Sequence, residues 1–185
     1  MKAGGFRLDD PKGEVGIEFM AVTDTSGDQP VTYQVPFSYR GAPIVGPDAA
    51  LIGTTEHGVL GQRWVYDGTR DPVLVAQLFA LIVGEAEPQM QSTSDTPDPS
   101  VTGWFAESGT TAAIASTTVT DDPSGTDLVV ETAPDGRGLT IHINRLLHPG
   151  QDTEEQGALG HVTTDLPLPD GTTARTAFAV VHAHP

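Results

Sequence analysis

Cysteine is absent from the 185-residue chain, which removes disulfides, thiolate nucleophiles and cysteine-ligated zinc or iron from consideration. Basic residues are scarce. Nine Lys and Arg stand against 25 Asp and Glu, giving a formal charge of −16, and the excess runs through both halves. Duplex DNA, RNA and anionic lipid all need clustered cations to release counterions, so these surfaces would be repelled. Lysine occurs only at Lys2 and Lys12 and asparagine only at Asn144. A GC-rich genome explains that bias more economically than adaptation to high salt. Long hydrophobic runs are missing too. Val73 to Val83 is the longest, it is interrupted by Gln77, and it falls short of the roughly 20 residues that cross a bilayer. The opening "MKAGGFRLDDPKGE" turns acidic where a secretory signal needs an apolar stretch. These absences imply a soluble, cytoplasmic protein that uses neither nucleic acid nor membrane as a partner.

What is present is a core's worth of apolar residues, 37% of the chain, arranged mostly with the period of strands. Val15 to Thr23 alternates, with Val15, Ile17, Phe19 and Ala21 on one face. Val31 to Arg40 alternates again, aligning Val31, Tyr33, Val35, Phe37 and Tyr39. "DTSGDQP" between them supplies turn residues, so the pair predicts an antiparallel hairpin. Pro36 lacks a ladder donor, which predicts an edge position or a bulge for the second strand. Leu51 to Thr55 and Val59 to Tyr66 are further strand candidates. A helix follows over about 71–83. Asp71 is placed to accept from the first free amides, Pro72 suits the first helical position, and Gly84 suits the left-handed closing position. Leu74, Val75, Leu78, Phe79, Leu81 and Ile82 give it a wide apolar face that needs a sheet.

Glu87 to Ser100 reads as a connection, with three prolines and little hydrophobicity. Beyond it, Thr110 to Thr120, Asp127 to Thr132, Leu139 to Leu147, His161 to Leu166 and Thr173 to His182 read as strands separated by turns. The expected fold is α+β: a curved antiparallel sheet packed on one main helix, followed by a mostly antiparallel β second half. Residues 1–92 and 93–185 form the two regions, either separate or continuous as one domain.

Motifs for chemistry are not evident. "GTTEHGVLG" has glycines but neither the lysine nor the helix start that a phosphate-cradling loop requires. His57, His142, His148 and His161 stand alone in sequence; His182 and His184 share a strand face beside Pro185, a weak metal pattern. Asp9 and Asp10, Asp121 and Asp122, and Glu154 and Glu155 sit in turn-like contexts where acids are simply hydrated. No G-x-S-x-G elbow occurs, and Ser108 reads as a turn residue. No catalytic, cofactor or metal residues are assigned. The candidate binding residues are Arg63, Trp64, Tyr66, Asp67 and Trp104. Alternation puts Gln62, Trp64 and Tyr66 on one face and Arg63 and Val65 on the other. That arrangement suits fastening of strand to helix more than an exposed hot spot.

The stretches "VTYQVPFSYRGAP" and "ALIGTTEHGVLGQRWVYDGTRDPVLVAQLFALI" resemble the N-terminal cap domain of actinobacterial maltokinases and related aminoglycoside-phosphotransferase-like sugar kinases. The resemblance covers roughly residues 5 to 92. The remainder is similar to the second half of stand-alone cap-like proteins. It implies a curved antiparallel sheet against a helix. In the kinases, the ATP lysine, catalytic aspartate and metal ligands lie in later domains, and no motif here matches them. Those caps usually begin with a further segment of about 25 residues, whereas this chain reaches "GGFRLDD" almost at once, which is expected to leave sheet surface open to association. The favoured reading is a non-catalytic interaction or regulatory module without a kinase domain of its own. Its partner would be a protein, such as a carbohydrate-pathway enzyme, or a second copy in a homodimer. The alternatives are a small-ligand or sugar-binding module that uses aromatic stacking, and, less favoured, an enzyme of maltose or glycogen metabolism.

Overall fold

In the computed structural model, residues 1–46, 50–93, 95–107, 109–110, 113–151, 157–168 and 170–184 are described. The readings placed on Ser108, Glu154, Glu155 and Pro185, and the part of the Thr110 to Thr120 strand at 111–112, lie outside the described residues.

Among the described residues, thirteen strands and one α-helix follow in order: β1 (Lys2–Asp9), β2 (Val15–Asp24), β3 (Val31–Arg40), β4 (Leu51–His57), β5 (Gly61–Asp67), α1 (Pro72–Ile82), β6 (Gln89–Met90), β7 (Thr102–Phe105), β8 (Ile114–Asp121), β9 (Gly125–Thr132), β10 (Gly138–Asn144), β11 (Leu146–Leu147), β12 (Gly160–Pro167) and β13 (Thr173–Ala183). They form two antiparallel sheets. The first runs β4-β5-β3-β2-β1-β6, with β11 also against β3; the second runs β7-β12-β13-β10-β9-β8. The expected antiparallel, sheet-rich character of the chain, second half included, is present, but the expectation that the first half is a sheet packed by itself on the helix is too simple. The fold is mostly sheet, and the helix packs within a two-sheet arrangement.

The predicted hairpin of β2 and β3 forms with an unbroken register from Val15↔Arg40 to Asp24↔Val31. Val15, Ile17, Phe19 and Ala21 are buried as their period requires. Strand β3 differs. Gln34 and Ser38 face the interior, while Val35 and Phe37 are half-covered and Tyr33 is exposed on the outer face. Gln34 is accommodated when its amide is assigned with the nitrogen toward the Phe178 carbonyl at 3.0 Å and the Asn144 carbonyl at 3.2 Å, an assignment in which a buried polar group ties the sheets together. Pro36 does not mark an edge strand. The Gln34 amide points to the β11 side, donating to the Arg145 carbonyl, and alternation aims position 36 the same way. There β3 is paired by β11 at Thr32 and Tyr33 and by β5 from Phe37 onward. Pro36 sits in the gap between them, where no donor is required.

The two sheets share one hydrophobic cluster. Phe6 of β1 stacks on Phe19 of β2 at 4.8 Å, and Phe178 of β13 lies 5.7 Å from Phe6. Helix α1 starts and stops as predicted: Asp71 accepts from the Val73 amide, proline occupies the first turn, and Gly84 has φ +82°. Its Phe79 meets Phe105 of β7 edge-on at 6.3 Å. A Cβ at Gly103 would stand 2.1 Å from the Leu81 carbonyl oxygen, so only glycine lets β7 approach the end of the helix.

Three differences from the sequence reading have physical causes. The "GGFRLDD" stretch belongs to β1, an interior strand between β2 and β6; its adjacent glycines lack the side chains that signal a strand. Within the Glu87 to Ser100 connection, Gln89 and Met90 pair with β1. Leu139 to Leu147 is not one strand. It breaks at Arg145, so β10 lies in the second sheet and β11 in the first. No helix among the described residues is long and apolar enough to cross a membrane.

Candidate functional site

Strand β5 and the turn after it place the sequence candidates on different sides of the first sheet. Tyr66 is 1% exposed. Its hydroxyl accepts from the Ile44 amide at 2.8 Å, so the ring packs and the oxygen anchors the loop before β4. Tyr66→Phe is expected to lower stability by about 1 kcal/mol, with the urea midpoint falling at constant slope. Trp64, paired with Arg40 and Thr54, is half-buried.

Asp67 accepts from the Thr69 amide and hydroxyl and caps a single 3-10 turn, Gly68–Arg70. Its carboxylate also takes two bonds from Arg145 Nη2, at 2.6 and 2.8 Å. Next to it, Asp71 is fully buried and forms a two-pronged pair with Arg40, Nε to Oδ2 at 2.7 Å and Nη2 to Oδ1 at 2.6 Å. Burial opposes ionisation of Asp71, but the Arg40 hydrogen bonds and charge, with the Val73 amide, outweigh it and hold the carboxyl below its ordinary range. Asp67, the last residue of the tryptophan strand, is thus consumed in holding that strand to Arg145 at the crossing between the sheets, and Asp71 in holding β3 to the helix.

Arg63 points into an open cleft of about 680 Å³ between the β1–β2 turn and the β4–β5 hairpin, with Arg7, Asp10, Glu18, Tyr39 and His57 among its lining residues. Local bonding shapes both walls. Asp10 accepts from the Lys12, Glu14 and Val15 amides; these overcome burial and lower its pKa. His57 Nδ1 accepts from the Val59 and Leu60 amides, closing the hairpin. Glu18 accepts from the Tyr39 hydroxyl at 3.0 Å and the Gln91 amide at 2.6 Å. Burial and the Glu18 charge push the Tyr39 phenol above its ordinary pKa, so it remains a donor. The cleft is rich in carboxylates and suits a cationic group better than an anion.

Trp104 lies in the second sheet on edge strand β7, 46% exposed, with its ring stacked on His161 of β12 at 5.4 Å and 29°. It does not join the other four candidates. Sequence reasoning also missed a cluster of Asp122, Asp127 and His142, whose ligand atoms lie within 4.8 Å of one another. His142 Nδ1 is 2.6 Å from Asp127 Oδ1, and such donors suit a divalent cation chemically. Their spacing in sequence matches no ligand motif, because pairing of β9 with β10 is what joins them.

Among the described residues, two antiparallel sheets with one α-helix, and a tryptophan strand and following turn whose acids Asp67 and Asp71 bond within the framework, define a sheet-rich fold. Residues 1–71, strands β1 to β5 and the turn up to Asp71, match the family model of the maltokinase N-terminal cap domain. The match includes β1 and stops where α1 begins, shorter than the span of the resemblance. No curated protein matches the chain.

Proposed function

We propose that the chain is a non-catalytic, cap-like interaction or regulatory module whose first sheet engages a protein partner. The carrying observation is what the cap-matching segment leaves in water. Leu51 and Ile52 on β4, and Val59 and Leu60 at the hairpin turn, are each more than half exposed. Exposed apolar side chains at both ends of one edge hairpin give a partner apolar surface to cover. The absence of kinase catalytic motifs from the sequence supports the same reading, as does the internal use of Asp67 and Asp71. The partner class suggested by the family match is a carbohydrate-pathway enzyme of the maltokinase type. In a binding assay with such an enzyme, Ile52→Asp together with Leu60→Asp is expected to weaken association by about tenfold or more while leaving the melting temperature unchanged. Equal binding by the variant, or ATP-dependent sugar phosphorylation by the purified chain, would overturn the proposal.

A second reading, sugar binding, is favoured only by Trp104. Its exposed ring, backed by His161, is a flat platform of the kind that stacks on a pyranose. Saturable quenching of tryptophan fluorescence by maltose, lost in Trp104→Ala, would establish it.

A further inference from the structure

Strand β8 ends the second sheet with one side unpaired among the described residues. The Asp122 amide donates across the turn to the Gly125 carbonyl. Alternation therefore turns the Thr118 and Thr120 amides toward β9 and those of Thr117 and Val119 outward. Natural edges are commonly guarded by lysine, proline or a covering element. From Ile114 to Thr120 this edge carries Ser, Thr, Ala, Ile and Val only. Between it and helix α1 runs a groove of about 870 Å³, with Pro72, Val75 and Ala76 on the helix side and Ile114, Thr117 and Val119 on the strand side.

An edge ladder beside a groove of mixed apolar and hydroxyl lining, with Arg70 at one point of it, reads an extended chain in two ways: the ladder takes its backbone, and the groove takes alternate small side chains. The intervening side chains of such a chain would lie on the outer face, next to Ser116, Thr118 and Thr120. One strand further in are Glu131 and Asp127, the β9 partners of Ser116 and Thr120. Asp122 follows Thr120 on that face and is exposed, whereas Asp121 falls on the groove side and is paired with Arg70 at 2.8 Å. We propose that β8 and the α1 groove dock an extended segment of a partner protein whose alternate residues are small and apolar on one side and basic on the other. Charge complementarity selects that occupant. A second copy of this chain would set the same acidic face against itself at a net charge of −16. Apart from Thr69 and Arg70, the lining of the groove lies outside residues 1–71, and the proposal does not depend on the cap reading.

The test is fluorescence anisotropy of the full chain with a labelled peptide of about nine residues, strand length, alternating Val and Lys, and a control alternating Val and Glu. The lysine peptide is expected to bind, to weaken about tenfold between about 50 and 500 mM salt, and to outcompete the control by about tenfold. Thr117→Pro, which removes an outward donor, and Ala76→Arg, which fills the groove from the helix, should each reduce binding about tenfold. Because Ala76→Arg leaves β8 untouched, the proposal stays testable if the proline variant folds poorly. Equal binding of both peptides, binding indifferent to Ala76→Arg, or a dimer in sedimentation that Ala76→Arg abolishes would each overturn it.

Discussion

Replacing Asp71 with alanine is expected to destabilise the fold by about 3 kcal/mol. The residue has two duties. As N-cap it accepts from the Val73 amide at 2.9 Å, a contribution of about 1 kcal/mol. As ion-pair partner it holds Arg40, whose side chain is 23% exposed and would otherwise be left partly desolvated without a counter-charge. The pair links the end of β3 to the start of α1, so its loss loosens the seat of the helix whose Leu74, Leu78 and Phe79 lie in the core. Asp71→Asn keeps an acceptor for the cap and should recover part of the loss. The measurement is the urea midpoint of each variant at constant slope. An Asp71→Ala midpoint within error of the parent would remove the ion pair from the account.

The same carboxylate gives the stability a sign in pH. Its folded pKa lies below the unfolded value of about 3.9. The unfolded chain therefore binds the proton first as pH falls. The Asp71 contribution is complete above the unfolded pKa and is lost as pH drops through the folded one. Asp10 adds in the same direction, through its three backbone amides. Acid titration of Asp71→Asn should accordingly show a shallower loss of stability below about pH 4 than the parent.

How much of this was legible depended on whether the signal was local. Asp71, Pro72 and Gly84 bracket the helix because capping chemistry acts within a turn, and the β2–β3 hairpin follows from alternation and its intervening turn residues. Strand β1 was hidden by Gly4 and Gly5, which carry no side-chain pattern; Gly5 lies where a Cβ would meet the Phe19 carbonyl oxygen at 2.0 Å. The alternation of β3 was visible, but which face would be inward was not, since Gln34 is paid for only by carbonyls of the second sheet. The candidate residues fared similarly. Face-sharing by Trp64 and Tyr66 could be read from parity, whereas the partner of Asp67, Arg145, is 78 positions away and carries no sequence signal of its own.

That partner defines the other large effect. Arg145 sits where the chain leaves β10 for β11, and its guanidinium reaches in two directions, Nη2 to Asp67 and Nε to the buried Thr126 hydroxyl at 2.9 Å. Arg145→Ala is expected to cost about 2 kcal/mol. The loss is smaller than at Asp71 because Asp67 keeps its bonds to Thr69 and is itself 30% exposed. Arg145→Lys should not restore stability, since one ammonium nitrogen cannot replace both Nη2 at Asp67 and Nε at Thr126. A double-mutant cycle with Asp67→Asn should return a coupling of about 1 kcal/mol. Hydrogen exchange supplies an independent reading. The Gln34 amide bonds to the Arg145 carbonyl, so loss of the guanidinium should speed exchange at Gln34 while the β9–β10 ladder stays protected. Uniform loss of protection across both sheets would instead mean that Arg145 supports the whole molecule rather than the crossing between its sheets.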